Sequence, residues 1–135
     1  MSELDFIAIL AGITTAIFTS AFAGALLGIG FAVDMMANDP EVYPKDDNAM
    51  DEAFGELRHK PGFAFQMAFV NIAISALSGA VTAWLAPHAP LLNALVVGLV
   101  GMGVVALGRD MPRPLVISGL ATTLPATVVG AWLMT

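Results

Sequence analysis

The amino-acid sequence predicts an all-α polytopic membrane protein. It reads as a four-transmembrane-helix bundle, a single membrane domain over residues 1–135, with a short cytoplasmic surface helix between helices 1 and 2. Three observations carry this reading. Four apolar stretches, at residues 6–33, 62–86, 90–108 and 114–134, contain no Asp, Glu, Lys, Arg or His. Each is long enough for a bilayer-spanning helix, which needs about 17–25 residues. Only 12% of residues are charged and 58% are hydrophobic, with a mean hydropathy of +0.83, whereas a soluble domain carries about 25% charged residues.

The first stretch opens after Met1-Ser-Glu-Leu-Asp5, which holds two acids and no basic residue. A cleaved signal needs a positive start and a shorter apolar core, so residues 6–33 are expected to remain as a span despite the Ala-x-Ala at Ala21–Ala23. As a straight helix the stretch would reach about 42 Å, against a hydrocarbon core of about 30 Å. It must tilt, bend or project from the bilayer. Hydrocarbon offers the backbone no hydrogen-bond partner, so all four stretches are read as helices.

The connections differ in length. Residues 34–61 form the one extended polar segment. The other links are Pro87-His88-Ala89 and Arg109-Asp110-Met111-Pro112-Arg113, short enough to force antiparallel hairpins. Within 34–61, Asp39-Pro40 and Tyr43-Pro44 disfavour helix before each proline. From Asn48 a short helix is expected, with Asp51 and Glu52 in its first turn, an apolar stripe of Met50, Phe54 and Leu57, and Pro61 at its end. The segment holds eight acids, Asp34, Asp39, Glu41, Asp46, Asp47, Asp51, Glu52 and Glu56. Their spacing does not match a calcium-binding loop, and no metal site is expected there.

All five basic residues, Lys45, Arg58, Lys60, Arg109 and Arg113, fall in the 34–61 and 109–113 connections. With four spans these connections share one side, and the excess of Lys and Arg places that side in the cytoplasm and both termini outside. Trp84 and Trp132 then sit at the outer ends of their spans, where indoles anchor at the interface. The expected location is the inner or plasma membrane of a prokaryote. A net charge of −6 argues against nucleic acid as a partner.

The clearest pattern in the chain is a column of small residues in the first span: Gly12, Ala16, Ser20, Gly24, Gly28 and Ala32, one every fourth residue. Small side chains at this spacing let another helix approach to backbone contact. Shorter columns occur at Ser75, Gly79 and Ala83, at Ala94 and Gly98, and at Ser118, Thr122, Ala126 and Gly130. Such columns either build the protein's own bundle or, for the long one, present an interface to a further helix. Pro125 removes one backbone hydrogen bond within the fourth span and is expected to kink it.

Catalytic chemistry has few carriers here. Cysteine is absent, which excludes disulfides and thiolate chemistry. No ionisable residue lies within a span, whereas proton relays, coupled transporters and voltage sensors rely on one. His59 and His88 lie at or beyond span ends, so no haem or other cofactor is expected. The most polar residues inside the spans are Gln66, Asn71 and Asn93, alongside hydroxyls that include Thr14, Thr15, Thr19, Ser75, Ser78, Thr122, Thr123 and Thr127. Buried amides in membranes serve as interhelical glue or line a path, and Gln66, Asn71, Ser75, Asn93 and Thr122 are the candidates for a pore or pocket lining.

The sequence therefore predicts a non-enzymatic structural or accessory subunit. Its surroundings would be the lipid bilayer and either a membrane protein partner or further copies of itself, packed through small-residue helix faces. The alternative is a small channel, facilitator or holin-like pore for neutral or weakly polar solutes.

Overall fold

The computed structural model describes residues 4–38, 52, 55, 61–107 and 113–135. Within them lie four helices, α1 (Phe6–Asn38), α2 (Pro61–Leu85), α3 (Pro90–Leu107) and α4 (Arg113–Trp132). All four are long and apolar enough to cross a membrane. The helix expected from Asn48 lies outside the described residues apart from Glu52 and Gly55, as do residues 109–112 of the last link.

Helix α1 outruns its apolar stretch. It continues through Asp34 to Asn38, and its 33 residues give an axis of about 50 Å. Its start is capped by Asp5, whose carboxylate accepts the Ala8 N–H at 3.1 Å, satisfying one of the donors that a helix N-terminus leaves open. Helix α4 runs unbroken through Pro125, whose ring is exposed on the outside of the bundle.

Residue pairings fix the helix directions. Gly98 approaches Leu124 and Gly119 approaches Val105, so α3 and α4 are antiparallel. Asn71 meets Thr122 and Thr123 while Gly79 meets Thr127, so α2 and α4 are parallel. One end of the bundle thus carries the start of α1, the α2–α3 link and the end of α4. The opposite end carries the C-terminus of α1 and the N-terminus of α2. Helix α2 touches the other three helices, whereas α1 rests on α2 and α3 and does not reach α4.

The tightest crossing is between α2 and α4. A Cβ added at Gly79 would collide with the backbone carbonyl of Thr127, and one added at Gly130 would collide with that of Ala76. The two glycines bracket the crossing from opposite helices, and each accepts the other helix's main chain where a side chain would stand. In a bilayer, whose tails are as apolar as the helices, close van der Waals contact of this kind would replace the hydrophobic effect as the source of cohesion. The α3–α4 crossing is similar but softer: a Cβ at Gly98 would meet Leu124 Cδ1 at 2.8 Å and one at Gly101 would meet Thr123 Cγ2 at 3.0 Å.

The buried face of α4 differs by one residue from the expected column. Gly119, Thr123, Thr127 and Ala131 are buried, together with Gly130, whereas Ser118, Thr122 and Ala126 are half-buried at its flank. A shift of one residue turns a helix by about 100°, and spacing alone does not choose between two adjacent columns of small residues.

Replacing Gly79 or Gly130 with Leu should separate α2 from α4, costing at least the ~1–3 kcal/mol typical of overpacking. Gly103 has nothing within 4 Å of its Cβ position, and Gly103→Leu should leave the fold intact. Thermal unfolding of the purified variants in detergent measures both.

Candidate functional site

The polar residues of the spans do not converge on one path. Gln66, Asn71 and Ser75 all lie on α2, but Gln66 points roughly 140° around the axis from Asn71. Asn93 sits at the far end of the bundle, at the start of α3. Each has its own surroundings.

Asn71 joins α2 to α4. Its amide Nδ2 donates to Thr122 Oγ1 at 3.3 Å and to Thr123 Oγ1 at 3.1 Å. The two hydroxyls accept this amide while donating to the carbonyls one turn back, Thr122 to Ser118 and Thr123 to Gly119, each at 2.7 Å. A hydroxyl acts as donor and acceptor at once, so the pair of threonines absorbs the amide's donors without water.

Asn93 is fully buried and binds three pieces of chain. Its Oδ1 accepts the Asp5 N–H at 2.7 Å, just before α1. Its Nδ2 donates to the His88 and Ala89 carbonyls, at 3.3 and 3.0 Å. Ala89 adopts a left-handed backbone, with φ of 54°, a conformation that costs a residue with a Cβ roughly 1–2 kcal/mol. The Asn93 amide holds this strained link while its oxygen anchors the start of α1. Asp5 is therefore doubly engaged, as the cap of α1 and as a backbone donor to α3. An Asp directly before an apolar run is a recognised helix-start signal, and it marks this position in the sequence.

The hydroxyls of the spans are mostly satisfied within their own helices. Thr15, Thr19, Thr82 and Thr127 donate to carbonyls four residues back, at 2.6–2.8 Å. Ser78 donates to the Ser75 carbonyl at 2.8 Å. Ser75, Ser78, Thr82, Thr123 and Thr127 are buried and line the seams between helices. Among the described residues no buried side-chain nitrogen or oxygen lacks a hydrogen-bond partner, and none of their His, Asp or Glu side chains form a group of three or more able to hold a metal ion.

Gln66 is exposed. It borders a half-open cavity of about 540 Å³ between α1 and α2, at the end of the bundle where α1 stops and α2 starts.

The small-residue column of α1 divides along its length. Gly12 is buried where three helices meet: a Cβ there would collide with the Thr82 hydroxyl and lie 3.2 Å from both the Ser78 carbonyl and Val97 Cγ2. Ala16 is half-buried, and Ser20 and Gly24 are exposed. The Cβ position of Gly24 has nothing within 4 Å. Gly28 and Ala32 are half-buried. The cause is geometric. A step of four residues turns about 400° on a helix of 3.6 residues per turn, so the column drifts roughly 40° per step. Three steps from Gly12 bring it about 120° around, off the bundle and onto the outer surface at Gly24. The upper part of the column builds the protein's own core and its middle does not.

No protein-family model, curated protein or solved structure matches this chain.

Asn93→Ala would strip the partner from the Asp5 N–H and from the strained link, and should cost about 1–3 kcal/mol. Asn71→Val removes a single interhelical amide and should cost about 1 kcal/mol. Ala89→Gly relieves the left-handed strain and should leave stability unchanged or raised. Denaturant unfolding in detergent orders the three variants.

Proposed function

We propose that this chain is a non-enzymatic structural or accessory subunit of a membrane assembly, joined to a further transmembrane helix through the outward-turned part of the α1 column. The observation that carries the reading is the open space over Gly24. Ser20 and Gly24 present a small-residue surface on the longest described helix, and no described helix covers it. The same residue types at Gly12, Gly79 and Gly130 are in tight helix contact. A column with a period above 3.6 follows a right-handed path, which suits a partner helix crossing at about −40°.

The surrounding chemistry supports a packing role. The amides of Asn71 and Asn93 are committed to interhelical hydrogen bonds, which favours glue over a solute path for these two positions. In the proposed topology the α1 start, the 86–89 link and the α4 end lie outside. The end where α1 stops and α2 starts lies in the cytoplasm, together with the basic connections. Trp84 and Trp132, both exposed, share the outer end because α2 and α4 are parallel. An inner or plasma membrane of a prokaryote fits this arrangement.

Gly24→Leu tests the reading, since the new Cβ meets nothing within 4 Å among the described residues. It should deplete the larger species expected after mild detergent extraction, with overpacking of about 1–3 kcal/mol reducing association about 5- to 150-fold. Membrane insertion, read by resistance to alkaline extraction, should be unchanged. Gly103→Leu, an equally open glycine on α3, should leave the assembly whole. An unaltered assembly in Gly24→Leu would sink the proposal.

A further inference from the structure

Pro125 leaves α4 with an acceptor that the bundle does not use. A proline has no N–H to give, so the carbonyl of Ala121, four residues earlier, loses its donor within the helix. Ala121 and Pro125 are both exposed, on the outer face of α4 between Ile117 and Val129. Hydroxyls of α4 donate to the carbonyls of Ser118, Gly119 and Thr123, and among the described residues no side chain donates to that of Ala121. Lipid tails offer no donor, and in membranes a neighbouring helix commonly supplies one to a carbonyl freed by proline.

A matching donor stands on α1. Thr15 and Thr19 donate their hydroxyls to carbonyls of their own helix. Ser20, on the exposed face, makes no hydrogen bond among the described residues. Helices α1 and α4 do not touch, so this donor and this acceptor cannot meet within one chain. Their depths nevertheless agree. Gly12 sits beside Ser78 and Thr82, and α1 starts at the end where α2 stops. Counting on equally along α1 and back along α2 brings Ser20 level with the turn of α2 that holds Asn71. Asn71 in turn meets Thr122 and Thr123, the turn towards which the Ala121 carbonyl points. The hydroxyl and the carbonyl therefore lie within about 5 Å of one level along the bundle. Gly24 falls within a turn of Ala121 by the same count, so both surfaces are small where they would approach.

We propose that the helix received by the α1 surface is α4 of a second copy of this chain, with Ser20 donating its hydroxyl to the Ala121 carbonyl. This rests on the reading that the helices span a bilayer and that α1 carries the assembly surface. Copies inserted the same way up share one depth scale, so groups level within one copy are level between neighbours. The α1 of one copy and the α4 of the next cross antiparallel, with Gly24 and Ala121 giving the room for close approach. The contact joins unlike surfaces and leaves one of each open, so it repeats head to tail and closes into a ring where the rotation permits.

Disulfide formation in the membrane tests it, since the chain has no cysteine of its own. Ile17→Cys and Val129→Cys replace exposed residues beside the two surfaces. Full-length chains carrying one change each, with different tags, are expressed together and oxidised with copper phenanthroline. The mixed dimer should form, and neither variant should pair with itself. Ser20→Ala in the first chain, or Pro125→Ala in the second, should lower the yield of mixed dimer about fivefold, as for one interhelical hydrogen bond of about 1 kcal/mol. The two together should lower it no further, because both remove the same bond. Pro125→Ala restores the missing N–H, and the melting temperature of the purified chain should be no lower than the parent's. Self-pairing of Ile17→Cys would place α1 against α1 and overturn the proposal while leaving the α1 assembly surface intact. Absence of the mixed dimer, from an assembly that Gly24→Leu still disperses, would assign the surface to a different protein and overturn it likewise. A mixed dimer indifferent to Ser20→Ala and Pro125→Ala, or losses that multiply in the pair, would also contradict it.

Discussion

The close crossing of α2 and α4 is the contact on which the rest of the bundle rests. At Gly79 and Gly130 each helix gives up a side chain so that the other's main chain can occupy its place. In a bilayer as apolar as the helices themselves, no solvent term would drive them together, and short-range contact would have to do so. Contact of that kind decays steeply with distance, so a single methyl group in the crossing would weaken the whole interface. The crossing also sets the register in which Asn71 reaches Thr122 and Thr123. Helix α3 lies antiparallel against α4 through Gly98, Gly101 and Gly119, and α1 rests on α2 and α3 alone.

With only two of the three other helices beside it, α1 is half absorbed. Its start is fixed twice over, by the Asp5 cap and by the Asp5–Asn93 hydrogen bond, and Gly12 seats it against Ser78, Thr82 and Val97. From there the small-residue column turns away from the bundle at a rate set by helix geometry. The remaining length of α1 has α2 on one side and, among the described residues, no helix over Gly24. One column of one residue class therefore serves two settings along a single helix, the protein's own core at Gly12 and an open surface at Gly24.

The four long apolar helices and the antiparallel packing of α3 on its neighbours were legible in the sequence, because an uncharged stretch of this length has few alternatives in folded proteins. The α2 column at Ser75, Gly79 and Ala83 was legible for the same reason, and all three residues are buried. The inward face of α4 was not. Ser118-Gly119 and Thr122-Thr123 offer two neighbouring columns of similar size, and only the partner helix selects between them. The roles of the amides were also hidden, since Asn71 and Asn93 have the same composition signal but opposite settings: one lies mid-bundle between two helices, the other ties a strained link to a helix start. The cavity beside Gln66 depends on how α1 and α2 diverge at their far end, which no local pattern encodes.

The claim that the exposed α1 surface is an assembly interface is tested most directly by site-specific crosslinking in the native membrane. The chain has no cysteine, so Ser20→Cys and Val104→Cys each carry a photoreactive maleimide at a single site. Val104 provides the comparison as an exposed apolar position on α3. The account predicts one discrete adduct of fixed mass from position 20 and only a diffuse background from position 104. Equal and diffuse labelling from both positions would contradict it, and would mean that α1 faces lipid along the surface that Ser20 and Gly24 present.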